Sequence, residues 1–119
     1  MKPRLQVMKF GGTSVGDASC IARTAQIIAK AAKESGCVAV LSAMSGVTNR
    51  LIEAAKNAQA GNTGEAAVVV DALRKQHEIA LTSLLQREEE RARIRQRLEE
   101  MLEQLEAQGY HFQTLPAPF

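Results

Sequence analysis

Charge of one sign is scarce in this 119-residue chain, where 15 Lys and Arg against 13 Asp and Glu leave a formal net charge of +2. The small basic excess is scattered rather than gathered into a stripe, which argues against a nucleic-acid partner. Cysteine is nearly absent too. Cys20 and Cys37 fall in a predicted helix and at the start of a predicted strand, with no C-x-x-C spacing and no histidine pair nearby. They read as free thiols of a reducing compartment rather than as a disulfide or a metal site. His111 has no partner at metal-ligand spacing, and His77 lies on the apolar stripe of a helix, where a packed histidine is the ordinary reading. No apolar run approaches the roughly 20 residues that span a bilayer. Met1-Lys2-Pro3-Arg4 leads straight into a strand rather than into a signal-peptide core. A cytoplasmic protein with no membrane partner is expected, and the length allows one domain at most.

What the chain does carry is concentrated in two loops. Leu5 to Phe10 reads as a short buried strand and runs directly into Gly11-Gly12-Thr13-Ser14-Val15-Gly16. Successive glycines admit dihedrals closed to other residues and allow close approach to a ligand. The helix that follows is expected to aim its positive end at an anion. Lys9 adds a full charge at the carboxyl end of the strand, and a lysine in an otherwise apolar strand end has to turn toward something anionic. The string is neither a Walker A loop nor a Rossmann G-x-G-x-x-G. Another kind of nucleotide or phosphoryl site is implied.

The second loop, Ser42-Ala43-Met44-Ser45-Gly46-Val47-Thr48-Asn49, follows the apolar run Cys37 to Leu41 and precedes a helical pattern from Arg50 to Ala58. Val38 to Leu41 is of the near-continuous apolar kind found in parallel sheets. Between the two strands, Asp17 or Ser19 can cap a helix whose Ile21, Ala25, Ile28 and Ala32 make one apolar stripe, with Gly36 as its stop. Strand, helix and strand of this length form a right-handed parallel crossover, which sets both loops at the same carboxyl edge and in one pocket. Ser45, Thr48 or Asn49 is a candidate cap for the next helix.

Beyond the polar turn Gly61-Asn62-Thr63-Gly64 the chain reads as helical almost to its end. Val69 or Val70, Leu73, His77, Ala80 or Leu81 and Leu84 outline one helix face. Ile94, Leu98, Met101 and Leu105 form the seam of another helix over roughly Glu88 to Gln108, too short for a true coiled coil. Together they predict a helical hairpin with charged faces in water. The stretch from Gly109 to Phe119 holds three of the four aromatic residues and two of the three prolines. It is expected to be irregular.

KFGGTSVG at residues 9–16, then a strand, then SAMSGVTN at residues 42–49 resembles the amino-terminal part of the aspartate kinases, in the amino acid kinase family. The resemblance is strong over residues 5–59, general to about Gln108 and absent in the tail. It implies an α/β chain with the N-terminal part of a three-layer αβα amino acid kinase (carbamate kinase-like) fold. Residues 1–60 would be its βαβα nucleotide- and substrate-loop core, 61–108 a helical hairpin of the same domain and 109–119 an irregular tail. The implied reaction moves the γ-phosphoryl group of ATP, with Mg2+, to the side-chain carboxylate of L-aspartate, giving 4-phospho-L-aspartate for lysine, threonine and methionine biosynthesis. By the same resemblance Lys9 is the catalytic and nucleotide-binding lysine. Gly11, Gly12, Thr13 and Ser14 line the phosphate cradle, and Ser42 and Thr48 meet the aspartate.

Aspartate kinases continue into a longer catalytic domain and regulatory ACT domains, and their Ser-Phe-Gly-Glu-like string has no counterpart here. The resemblance therefore implies an incomplete fragment, inactive alone, of an enzyme that is a homo-oligomer at full length. The kinase portion of a bifunctional aspartate kinase and homoserine dehydrogenase shares these motifs and is an alternative. A non-catalytic fragment acting only through its helical hairpin is another.

Overall fold

The computed structural model describes residues 4–107. The expectations for Gln108, the tail 109–119 and Met1-Lys2-Pro3 lie outside the described residues. The elements in order are β1 (Leu5–Phe10), a 3-10 turn (Gly12–Ser14), α1 (Ala18–Ala32), β2 (Gly36–Leu41), α2 (Val47–Gln59), α3 (Thr63–Leu84) and α4 (Glu88–Ala107). The chain is α/β, as expected. β1 and β2 pair in parallel, in a register that runs from Leu5 opposite Gly36 to Phe10 opposite Leu41. Parallel neighbours need a long crossover, and α1 supplies it.

Asp17 starts α1 by accepting the Cys20 N–H at 2.9 Å. That amide bond holds the Asp17 carboxyl below its ordinary range. The helix stops earlier than its glycine suggested. Lys33, Glu34 and Ser35 close the last turn on the carbonyls of Lys30 and Ala31, while the Gly36 N–H already bonds to the Arg4 carbonyl at 2.8 Å. Gly36 is thus the first residue of β2, not a helix stop. The inward stripe is also shifted. Thr24 is buried, with Ile21, Ile28 and Ala31 half-buried beside it, whereas Ala25 and Ala32 are exposed.

At the end of α2, the N–H groups of Gly61 and Asn62 reach back to the carbonyls of Ala58 and Asn57 at 3.1 and 2.8 Å. This closure requires a left-handed residue after the cap, and Gly61 provides it at φ 83°. Only three residues then separate α3 from α4, so the two helices return antiparallel. The cross-links confirm that sense: Arg74 Nε to Glu99 at 2.9 Å, Arg95 Nη2 to Glu78 at 2.7 Å. At the turn, Arg91 donates to the carbonyls of Leu85 and Thr82 at 2.7 and 3.0 Å, satisfying the end of α3.

The core lies between helices rather than under the sheet. Ala54 of α2, Val69 and Val70 of α3 and Leu102 of α4 form a buried cluster, flanked by Leu98 and Leu105. This corrects the α4 seam, since Met101 is 67% exposed and Ile94 45%. The inward line of α4 runs instead through Leu98, Leu102 and Leu105. The strands correct the sequence reading as well. Leu5 is 72% and Val7 66% exposed, and Val38, Val40 and Leu41 are about half exposed. Alternation puts Leu5, Val7, Val38 and Val40 on one face. α1 packs on β2, and the half-buried Met8, Phe10 and Cys37 belong to the opposite face.

Candidate functional site

Both loops leave the sheet side by side. The Ser42 N–H donates to the Phe10 carbonyl at 3.1 Å, carrying the pairing one residue beyond β2. In the first loop, the Ser14 N–H closes on the Gly11 carbonyl at 3.0 Å. The turn is pinned from below by Thr24, whose hydroxyl donates to the Ser14 carbonyl at 2.6 Å. Thr24 is buried to 4% exposure, and the stripe read from the sequence passed it by because the inward face of α1 is shifted.

The glycines do not act through unusual dihedrals. Gly11 is extended, at φ −75° and ψ 177°, and among the described residues the positive-φ glycines are Gly46 and Gly61. What Gly11 and Gly12 offer is bareness, because a Cβ at either would meet nothing within 4 Å. Open backbone of this kind is what a phosphate group can approach. Gly16 is different. A Cβ there would stand 2.8 Å from Ser45 Oγ and 3.2 Å from the Gly12 carbonyl oxygen, so a side chain would make Ser45 rotate and press on the Gly12 carbonyl.

The open helix start also differs from the expected one. Asp17 closes the amino end of α1 with its own carboxylate, whereas α2 begins at Val47 behind Gly46 with no side-chain cap. The capping reading of Ser45, Thr48 and Asn49 is thereby corrected. Gly46 takes the left-handed conformation at φ 77°, turning the chain sharply into the helix and leaving the three side chains uncommitted to a cap.

A pocket of about 540 Å³ lies between the loops, lined by Gly12 and Thr13 on one side and by Ser42 to Gly46 with Thr48 and Asn49 on the other. It gathers four of the residues singled out from sequence: Gly12, Thr13, Ser42 and Thr48. Gly11, Ser14 and Lys9 do not line it. Ser14 contributes its carbonyl to the Thr24 anchor. Lys9 stands opposite Val40, is exposed, and forms no ion pair among the described residues. A second hollow of about 370 Å³ sits at the opposite edge, by Arg4, Leu5 and Glu34. It has neither glycine loop nor open helix start, and ligands of parallel sheets favour the carboxyl edge.

The backbone of Ser45 joins three elements. Its N–H donates to the Gly16 carbonyl at 3.1 Å, and its carbonyl accepts from Gln76 Nε2 of α3 at 2.8 Å. Arg50 Nη1 in turn donates to Gln76 Oε1 at 3.2 Å. Nothing in the sequence pattern points to Gln76, which lies among the polar residues of an otherwise regular helix. No helix among the described residues is long and apolar enough to cross a membrane.

An aspartate kinase of Pseudomonas putida is 56% identical over 54 residues, 44% of this chain and 13% of that protein. One of Pseudomonas fluorescens is 54% identical over 54 residues, with the same shares of 44% and 13%. An aspartokinase of Rickettsia felis is 38% identical over 82 residues, 68% of this chain and 20% of that protein. The matched segments span a fifth or less of these relatives. The sequence profile of the amino acid kinase family matches residues 4–117, nearly the whole chain, and with its glycine loop, open helix start and parallel pair this chain belongs to the amino acid kinase family.

Proposed function

We propose that this chain is part of an aspartate kinase, which transfers the γ-phosphoryl group of ATP to the side-chain carboxylate of L-aspartate. The observation that carries the reading is a pocket shared by a bare glycine turn and a hydroxyl-bearing loop with an uncapped helix behind it. The names of the relatives support aspartate as the acceptor. A carboxylate oxygen attacks the γ-phosphorus, the bond to the bridging oxygen of ADP breaks, and 4-phospho-L-aspartate forms. Nucleophile and phosphate are both anions. Catalysis then rests on positive charge and aimed N–H groups.

In this reading the Gly11–Ser14 turn receives the phosphates and Thr13 lends its hydroxyl. The Lys9 ammonium, two residues before the turn, offsets charge on the transferred group. Thr48 and the first-turn N–H groups of α2 hold the carboxylate substrate, a role suited to a helix start left open, and Ser42 stands at the reacting end. No cluster of three or more His, Cys, Asp or Glu among the described residues could hold a metal ion. Mg2+ would enter with the nucleotide phosphates and offset part of their charge.

The test is a chimera in which this chain replaces its aligned segment in the Pseudomonas putida relative, followed by ADP release. Turnover that depends on L-aspartate and stays within about tenfold of the parent is expected. Turnover equally good with L-glutamate, or none with either, would reject aspartate kinase as the reading.

A further inference from the structure

From the Ser45 contacts we infer that Gln76 is a positioning residue for the substrate loop, holding Ser42 to Asn49 in place through the Ser45 carbonyl while Arg50 fixes the orientation of its amide. The inference deepens the kinase reading and rests on it for the word substrate. The geometry itself does not. Ser45 is exposed and sits in the loop between Ser42 and Thr48, the two side chains proposed to meet aspartate. Its N–H is held by Gly16 of the phosphate loop and its carbonyl by Gln76. The two groups belong to the peptide planes on either side of the Ser45 Cα, so with both engaged the backbone is held before and after Ser45, and the neighbouring residues inherit that orientation.

The direction of the Gln76 amide is set by chemistry rather than by assignment alone. A guanidinium only donates, so the group facing Arg50 must be the amide oxygen, and the amide nitrogen is left facing the Ser45 carbonyl. Arg50 itself is oddly placed. It lies in the first turn of α2, where a cation opposes the helix dipole, and no carboxylate among the described residues pairs with it. Its partners are the Gln76 oxygen and the Ala72 carbonyl, both on α3. A cation spent on neutral oxygens at an unfavourable helix end makes sense as an orienting group. α3 thereby reaches the pocket although no residue of α3 lines it.

Gln76→Glu is the discriminating substitution. It preserves shape and gains an ion pair with Arg50, yet faces the Ser45 carbonyl with an acceptor. Gln76→Met keeps length and helix propensity without either bond. In the chimeric kinase, both variants should raise the aspartate KM about tenfold, with kcat changed less than about threefold and the ATP KM unchanged. In this chain alone, hydrogen exchange at the Ser45 amide should speed up about tenfold or more, while amides in the middle of α3 and α4 keep their protection. Arg50→Met should give a smaller change of the same kind. Kinetics and Ser45 exchange unaltered in both Gln76 variants would overturn the inference, as would a uniform loss of protection across α3 that marks a merely structural glutamine. A chimera inactive before any substitution rejects the kinase reading and leaves the exchange measurement to decide Gln76.

Discussion

Lys9 and Thr48 stand on opposite sides of the proposed transfer, so their substitution separates chemistry from binding. In an active protein carrying these residues, Lys9→Ala should lower kcat by roughly 10² or more, the loss of one preorganised electrostatic contact. Thr48→Val should mainly raise the aspartate KM, because its contact is made to ground state and transition state alike. Steady-state kinetics with each substrate varied would show the split, and an unchanged kcat in Lys9→Ala would remove the lysine from the mechanism. Gly16 offers a steric test. Its missing Cβ leaves room for Ser45 Oγ at 2.8 Å and the Gly12 carbonyl at 3.2 Å. Gly16→Ala should therefore weaken both substrates, and adding Ser45→Ala should restore part of the loss by removing the nearer atom. Strict additivity in that double-mutant cycle would mean that the loops do not meet where the contact places them.

At the scale of elements, the orientation of α4 is open to direct measurement. Leu102→Ala should cost about 2 kcal/mol, the low end for a buried leucine, whereas Met101→Ala should stay within about 0.5 kcal/mol. The reverse order in urea unfolding would restore the seam through Met101. The hairpin should also be sensitive to acid. Hydrogen bonding and charge from Arg95 hold the Glu78 carboxyl below its ordinary range, and Lys75 and Arg74 do the same for Asp71. A carboxylate with a lowered folded pKa contributes stability that is complete above its unfolded value, about pH 4 to 5, and lost as pH falls through the folded one. Helicity at 222 nm should therefore decline below about pH 4, and Glu78→Gln should flatten that decline. These helices also show what a sequence can convey. β1, a helix start at Asp17 or Ser19 and both pocket loops were legible because a short apolar run, a capping residue and glycine strings are local signals, and the structure selects Asp17 as the cap. The seam through Leu102, the inward Thr24 and the placement of Gln76 were not, since each depends on which neighbour a helix face meets. The same limit applies to the strands, whose apolar residues spelled burial although α1 covers one face alone.

For the molecule as a whole, the exposed side of the sheet is decisive. Leu5, Val7, Val38 and Val40 form a mostly apolar face with Lys9 at its end, and among the described residues both strands are edges, a combination that promotes association. The radius of gyration, 17.0 Å, exceeds the about 13.5 Å of a compact chain of this length. The chain alone should associate in sedimentation experiments as its concentration rises, and Val38→Lys should lessen this. A sharp, concentration-independent melting transition from a monomer would contradict it. The register of the parallel pair also bears on the order of folding. Leu5 pairs with Gly36 across the whole of α1, whereas the bonds between α3 and α4 close over one short turn. Distant pairings form slowly because chain entropy is lost before contacts compensate it. The helices should thus assemble first and the strands last, and both pocket loops hang from the ends of those strands. The binding site would be the final part of this chain to come into being, and a nucleotide that recognises it would act as a folding ligand, drawing late-forming β structure together by mass action.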